Sequence, residues 1–83
     1  MKLIFSEQAW ADIHWQQTDK KLLARISALI REISRSPFTG IGKPEPLKNA
    51  LSGYWSRRIN EEHRIVYKIA NDAMLIAQLR YHY

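Results

Sequence analysis

A handful of side chains in this sequence could act together on a phosphodiester. Glu45 lies between two prolines, Arg64 follows a Glu-Glu-His run, and a His-Tyr pair stands at 82 and 83. Lys48, Arg58 and Arg80 add further positive charge. Cutting RNA without a metal uses the ribose 2′-hydroxyl as an internal nucleophile. A base must take its proton, an acid must protonate the departing 5′ oxygen, and cations must offset the charge added in the phosphorane. Glu45 is the candidate base, His82 or Tyr83 the candidate acid, and Arg64 the candidate for charge. Each proton-transfer group would contribute on the order of 10²–10⁴ in rate. Arg58, Arg64 and Arg80 suit phosphate because the planar guanidinium donates two parallel hydrogen bonds. Tyr54, Trp55, Tyr81 and Tyr83 offer rings on which unpaired bases could stack. The set fits single-stranded RNA better than a DNA duplex, for which no helix with basic and amide side chains is apparent.

Each of these residues also has a plainer explanation. A loop glutamate can simply be solvated, and a terminal His-Tyr can pack or fray. Arg57-Arg58 on a strand can guard an edge against aggregation. His14 and His63 lack the partner spacing of a zinc site and are assigned structural or surface roles. Gly40-Ile41-Gly42-Lys43 is not a phosphate loop, because Pro37 stands where that motif needs its first glycine and Pro44 follows the lysine.

The elements that must position these groups follow from the hydrophobic pattern. Residues 2–5 read as a strand, and Ser6 with Glu7 caps a first helix carrying Ala9, Trp10 and Ile13 on one side. Thr18-Asp19 introduces a second helix, in which Leu22, Leu23, Ile26, Leu29, Ile30 and Ile33 form an amphipathic stripe. Arg31 and Arg35 suit its C-terminal end, and Ser36-Pro37 stops it. Residues 37–52 hold all three prolines and two of the three glycines and read as an ordered loop. From Gly53 the period changes to two, giving strands over 54–59, 63–69 and 74–81. Ile59, Ile65, Tyr67, Ile69, Leu75, Ala77 and Leu79 share a face only if three-residue turns or bulges join the strands. The other face then collects Arg58, Arg64, Lys68, Gln78, Arg80 and His82. The expected fold is α+β, in the order βααβββ, with a two-helix hairpin on one face of a small, mainly antiparallel sheet.

The 83 residues make one domain, spanning 1–83. A net charge of +5 suits a polyanionic partner, nucleic acid or an acidic protein. Cysteine is absent, so disulfides and thiolate metal sites are excluded, and no cofactor is expected. The N-terminal apolar run breaks at Ser6-Glu7-Gln8, too early for a signal peptide, and no stretch approaches a membrane span. A soluble, cytoplasmic protein with no membrane association is expected.

The run "GKPEPLKNALSGYWSRRINEEHRIVYKI", followed by the terminal "RYHY", resembles the YoeB toxins, a branch of the RelE/ParE superfamily of bacterial toxin–antitoxin systems. The likeness covers essentially the whole chain and is strongest from Gly42 to Tyr67 and over the last four residues. It implies a RelE-like fold and a ribosome-dependent endoribonuclease that cuts mRNA in the decoding site. Under that resemblance Glu45 matches the proposed general base and Arg64 the arginine supporting the scissile phosphate. His82 and Tyr83 match the terminal pair used in acid catalysis and positioning, and Lys48 and Arg58 match RNA-binding positions. The free carboxylate of the last residue would favour the protonated, donating form of His82. The resemblance further implies a homodimer and an acidic, YefM-like antitoxin that folds along the basic surface. Two rivals remain: a ParE-like toxin that binds gyrase without nuclease chemistry, and a binding module that uses the basic face without turnover.

Overall fold

In the computed structural model, which describes residues 1–81, the chain enters through a short strand, β1 (Lys2–Phe5), and turns at once into helix α1 (Glu7–Trp15). The Ser6 hydroxyl makes this turn possible: it accepts from the Ala9 amide and donates to the carbonyl of Ala77 at 2.6 Å. Helix α2 (Lys20–Arg35) starts under an Asp19 cap that accepts from the Leu22 amide. Its buried stripe of Leu22, Ile26, Leu29 and Ile33 is the one the three- and four-residue spacing predicts.

Four further strands complete one sheet: β2 (Glu45–Pro46), β3 (Trp55–Arg58), β4 (Arg64–Ala70) and β5 (Ala73–Gln78), in the spatial order β1-β5-β4-β3-β2. All pairings are antiparallel except β1 with β5, so the sheet is mainly antiparallel as expected. The expected order βααβββ gains one strand, because the proline-rich loop contributes the two-residue β2 on an edge. Proline's missing N–H is tolerated there. The core lies between the helices and one face of the sheet, where Ile59, Ile65, Tyr67, Met74, Ile76 and Leu79 meet Ala9, Leu22, Ile26, Leu29 and Ile33.

The turns depart from expectation at one place. The first hairpin does use a three-residue turn: Ile59 donates to the His63 carbonyl across Asn60–Glu62, and Asn60 Oδ1 accepts the amides of Glu62 and His63. The second hairpin is a tight two-residue turn, Asn71-Asp72, with φ of 51° and 60° at its centre. Both values are positive, the geometry that matches the twist of a hairpin, and Asn and Asp adopt it readily. The register then places Met74 and Ile76 in the core in place of the expected Leu75 and Ala77. A bulge restores the parity. Tyr67 pairs with Ile76 but Val66 with Gln78, leaving Ala77 as the extra residue, and Leu79 returns to the core.

Helix α1 is the second departure. Its buried positions are Ala9 and Asp12, followed by Gln16 just past its end, while Trp10 is exposed. The two polar side chains take over strand pairing for the backbone beyond β5: Asp12 Oδ2 accepts from the Leu79 amide at 2.9 Å, and Gln16 Nε2 donates to the Leu79 carbonyl at 2.8 Å.

Candidate active site

The residues proposed from sequence fall into three places on this frame. Glu45 opens the edge strand β2, held by its pairing with Ser56, and its side chain is exposed. It shares a recess of about 380 Å³ with Lys48, Leu47 and Asn49. Earlier in the chain, residues 36–41 of the same loop are fixed by a residue that pattern reading takes for an edge guard. Arg57 is fully buried and donates to the carbonyls of Ser36, Thr39 and Ile41 and to the Tyr67 hydroxyl. Tyr67 passes the chain on by donating to the Pro37 carbonyl at 2.6 Å. Burial raises the Tyr67 phenol above its ordinary pKa, an effect only partly offset by Arg57. Gly42, at φ 82°, lets the loop lie against the sheet: a Cβ there would sit 2.9 Å from Leu29 and 3.1 Å from the Arg57 Cβ. Its carbonyl accepts from the Arg58 amide.

Arg58 and Arg64 form the second place. They stand directly opposite each other across β3 and β4, a pairing of like charges that is unfavourable by itself. Cross-strand partners share a face. The row Glu45–Ser56–Val66 and the next row Arg58–Arg64 therefore lie on the sheet face away from the helices. With strands spaced about 4.8 Å apart and alternate residues roughly 6.7 Å apart, the Glu45 and Arg64 backbones are separated by roughly 12 Å. Between them on that face lie Ser56 and Val66, both buried. The Arg64 Nη1 donates to the carbonyls of Asn60 and His63 at 2.8 and 3.1 Å, which ties the guanidinium to the first hairpin.

The third place is the end of the chain. Leu79 is gripped by α1 as described, and the next two residues are held in turn. The Arg80 guanidinium lies 3.4 Å over the Trp15 ring and 4.5 Å from the Tyr81 ring, at the C-terminal end of α1. It therefore departs from the expected grouping with Arg58 and Arg64. Tyr81 donates its amide to His63 Nδ1 at 2.8 Å and accepts the Arg64 amide at 3.1 Å. The expectations for His82 and Tyr83 lie outside the described residues.

The expected stacking rings are also redistributed. Trp55 packs on the core and against Phe38, with ring centroids 4.8 Å apart, so it belongs to the interior side. Tyr54 is half-buried beneath the Lys68 ammonium, 5.4 Å from its centroid, while Tyr81 is exposed. Asp12, Gln16, Arg57 and His63 are the positioning residues that pattern reading misses. Buried polar side chains that serve distant backbone groups leave no periodicity.

A model of the family described as the YoeB-like toxin of bacterial type II toxin–antitoxin systems matches residues 5–83. The chain belongs to this family. Toxin YoeB of Escherichia coli K12 is 58% identical, with both chains covered in full. A YoeB/ParE toxin from Agrobacterium tumefaciens superposes with a TM-score of 0.95 at 46% identity, again covering all of both chains. The YoeB of Staphylococcus aureus, solved in a heterotetrameric complex with YefM and as a dimer, gives TM-scores of 0.91 and 0.92 at 46% identity. Each of those matches covers all of this chain and 98% of the other. The YoeB scaffold here thus carries Glu45, Arg58 and Arg64 on one face of the sheet, with Tyr81 bonded to the Arg64 backbone. Among the described residues, no helix is long and apolar enough to cross a membrane.

Proposed function

We propose that this chain is a ribosome-dependent endoribonuclease that cuts mRNA in the A site and so stops translation. The carrying observation is the sheet face shared by Glu45 and the Arg58–Arg64 pair, with the chain's last described residue hydrogen-bonded to the Arg64 backbone. In this reading Glu45 takes the 2′-hydroxyl proton, and the oxygen attacks the adjacent phosphorus. Arg64, assisted by Arg58, draws the phosphate oxygens and balances the phosphorane's added charge. The terminal pair, His82 with Tyr83, protonates the departing 5′ oxygen, leaving a 2′,3′-cyclic phosphate and a 5′-hydroxyl. Lys48, beside Glu45, contributes a phosphate contact. The unfavourable Arg58–Arg64 juxtaposition supports the assignment, because a phosphate between them would relieve it.

The partners follow from charge and family. The +5 chain would be neutralised by a small acidic antitoxin of the YefM kind, the Staphylococcus aureus relative having been solved in complex with YefM, and would dimerise as that relative does. Its place of action would be the cytoplasm, where the ribosomes are.

A translation reaction with purified protein tests the reading. Wild type should produce new mRNA ends in phase with codons. Glu45→Gln and His82→Gln should still bind ribosomes and cut roughly 10²- to 10⁴-fold more slowly, and Arg64→Ala should also bind but cut poorly. Intact message with arrested supercoiling would instead favour gyrase binding. Intact message with stoichiometric arrest of translation would favour a binder without turnover.

A further inference from the structure

His63 has no part in the reaction as proposed, yet it is the most confined histidine described, 3% exposed at the foot of β4. Its ring meets Trp15 edge-on at 5.7 Å and Tyr81 at 5.8 Å. Nδ1 accepts the Tyr81 amide at 2.8 Å, and Nε2 faces Glu62 Oε1 at 3.4 Å. An acceptor at Nδ1 must carry a lone pair, so the ring proton belongs on Nε2, toward the carboxylate.

The bonded residue is in an unusual state. Tyr81 has φ 63°, the left-handed region, which costs an ordinary L-residue on the order of 1–2 kcal/mol. Such a backbone persists only when its surroundings fix it. Here the amide is held by His63, the carbonyl by the Arg64 amide, and the ring by Arg80, itself stacked on Trp15.

We propose that His63 is a positioning residue for the Arg64 side of the site: through Nδ1 its imidazole locks Tyr81 in the reversed turn that bonds the Arg64 backbone. The inference rests on the nuclease reading above. It differs from a packing role in one respect, namely that the required atom is an acceptor two bonds beyond Cβ. Asparagine supplies such an atom in Oδ1, whereas the glutamine amide lies one bond further out and leucine has no acceptor.

The test combines mRNA cleavage by ribosomes with amide exchange on the free protein. His63→Asn should cut within about threefold of wild type. His63→Gln and His63→Leu should lose roughly 10- to 100-fold in kcat with KM for ribosomes unchanged, as small misplacements of catalytic groups do. Urea midpoints of all three variants exclude unfolding as the cause. In exchange measurements the Tyr81 amide should be protected in wild type and His63→Asn and unprotected in the other two. Nitrogen NMR should show His63 Nδ1 bare and Nε2 protonated. Equal cleavage by the Gln and Leu variants, or a protonated Nδ1, overturns the inference. If wild type itself leaves mRNA intact, the nuclease reading fails, and Tyr81 exchange still decides the clamp: protection lost in the Gln and Leu variants upholds it, and unchanged protection refutes it.

Discussion

Adjacent arginines on β3 show how one residue type serves two ends. Arg58 lies on the sheet face away from the helices, while Arg57, one step along the strand and so on the other face, is sealed beneath the loop of residues 36–42. Its guanidinium satisfies several carbonyls at once, a task that lysine's single ammonium cannot match. Arg57→Lys should therefore destabilise the protein by about 3 kcal/mol or more, since carbonyls ordered around the fork lose their donors. Arg58→Ala should stay within about 0.5 kcal/mol of wild type, as exposed substitutions do. Urea denaturation of the two variants measures the contrast. Tyr67 adds a pH signature to the same cluster. Burial raises its phenol above the unfolded value near 10. The native state thus holds this proton more tightly than the unfolded chain. The phenol's contribution is fully present below about pH 10 and is lost as the pH rises through the folded value. Tyr67→Phe also removes the bond to the Pro37 carbonyl, costing about 1 kcal/mol at neutral pH. The gap between wild type and Tyr67→Phe should narrow above pH 10, which urea melts across pH 8–11 would show.

At the scale of elements, the tight turn between β4 and β5 sets the register of the whole C-terminal half. Asn71 and Asp72 both sit at positive φ, where glycine is free of the side-chain penalty. Asp72→Gly should stabilise the fold by a few tenths to about 1 kcal/mol without altering the register, read from the thermal midpoint and the Ala70–Ala73 amide exchange. The same turn shows why the register is only half legible in the sequence. Alternation along 74–79 gives two equally apolar faces, Met74 and Ile76 against Leu75 and Ala77, so hydrophobicity alone cannot choose between them. Turn geometry chooses the first, and the Ala77 bulge, pinned by the Ser6 hydroxyl, then returns Leu79 to the core. The stripe of α2 needed no such arbitration, because one face of that helix is charged. Glu45 and Arg64 stand out in the sequence for another reason: their types and neighbours lie in the run by which the chain resembles its family. Asp12 and Gln16 were not, since their partner is the backbone of Leu79, 67 and 63 residues away.

For the whole molecule, that long-range grip carries a consequence for cooperativity. A chain of this length buries only roughly 60–65% of its unfolded surface, and a stability of about 4–12 kcal/mol is expected for 83 residues. Were α1 attached only through its apolar side, which consists of little more than Ala9 and half-buried Ile13, it could detach before the sheet melts. Asp12 and Gln16 oppose this by completing the strand pairing of Leu79, so α1 cannot leave without orphaning a buried amide and carbonyl. Trp10 and Trp15 report on α1 and Trp55 on β3. We therefore expect tryptophan fluorescence and far-ultraviolet circular dichroism to follow one coincident urea transition, with a slope of about 1 kcal/mol/M. Asp12→Ala should lower stability by about 1–3 kcal/mol and split the two signals, with fluorescence leading. A single shifted transition in that variant would mean that apolar packing alone keeps the helix on the sheet.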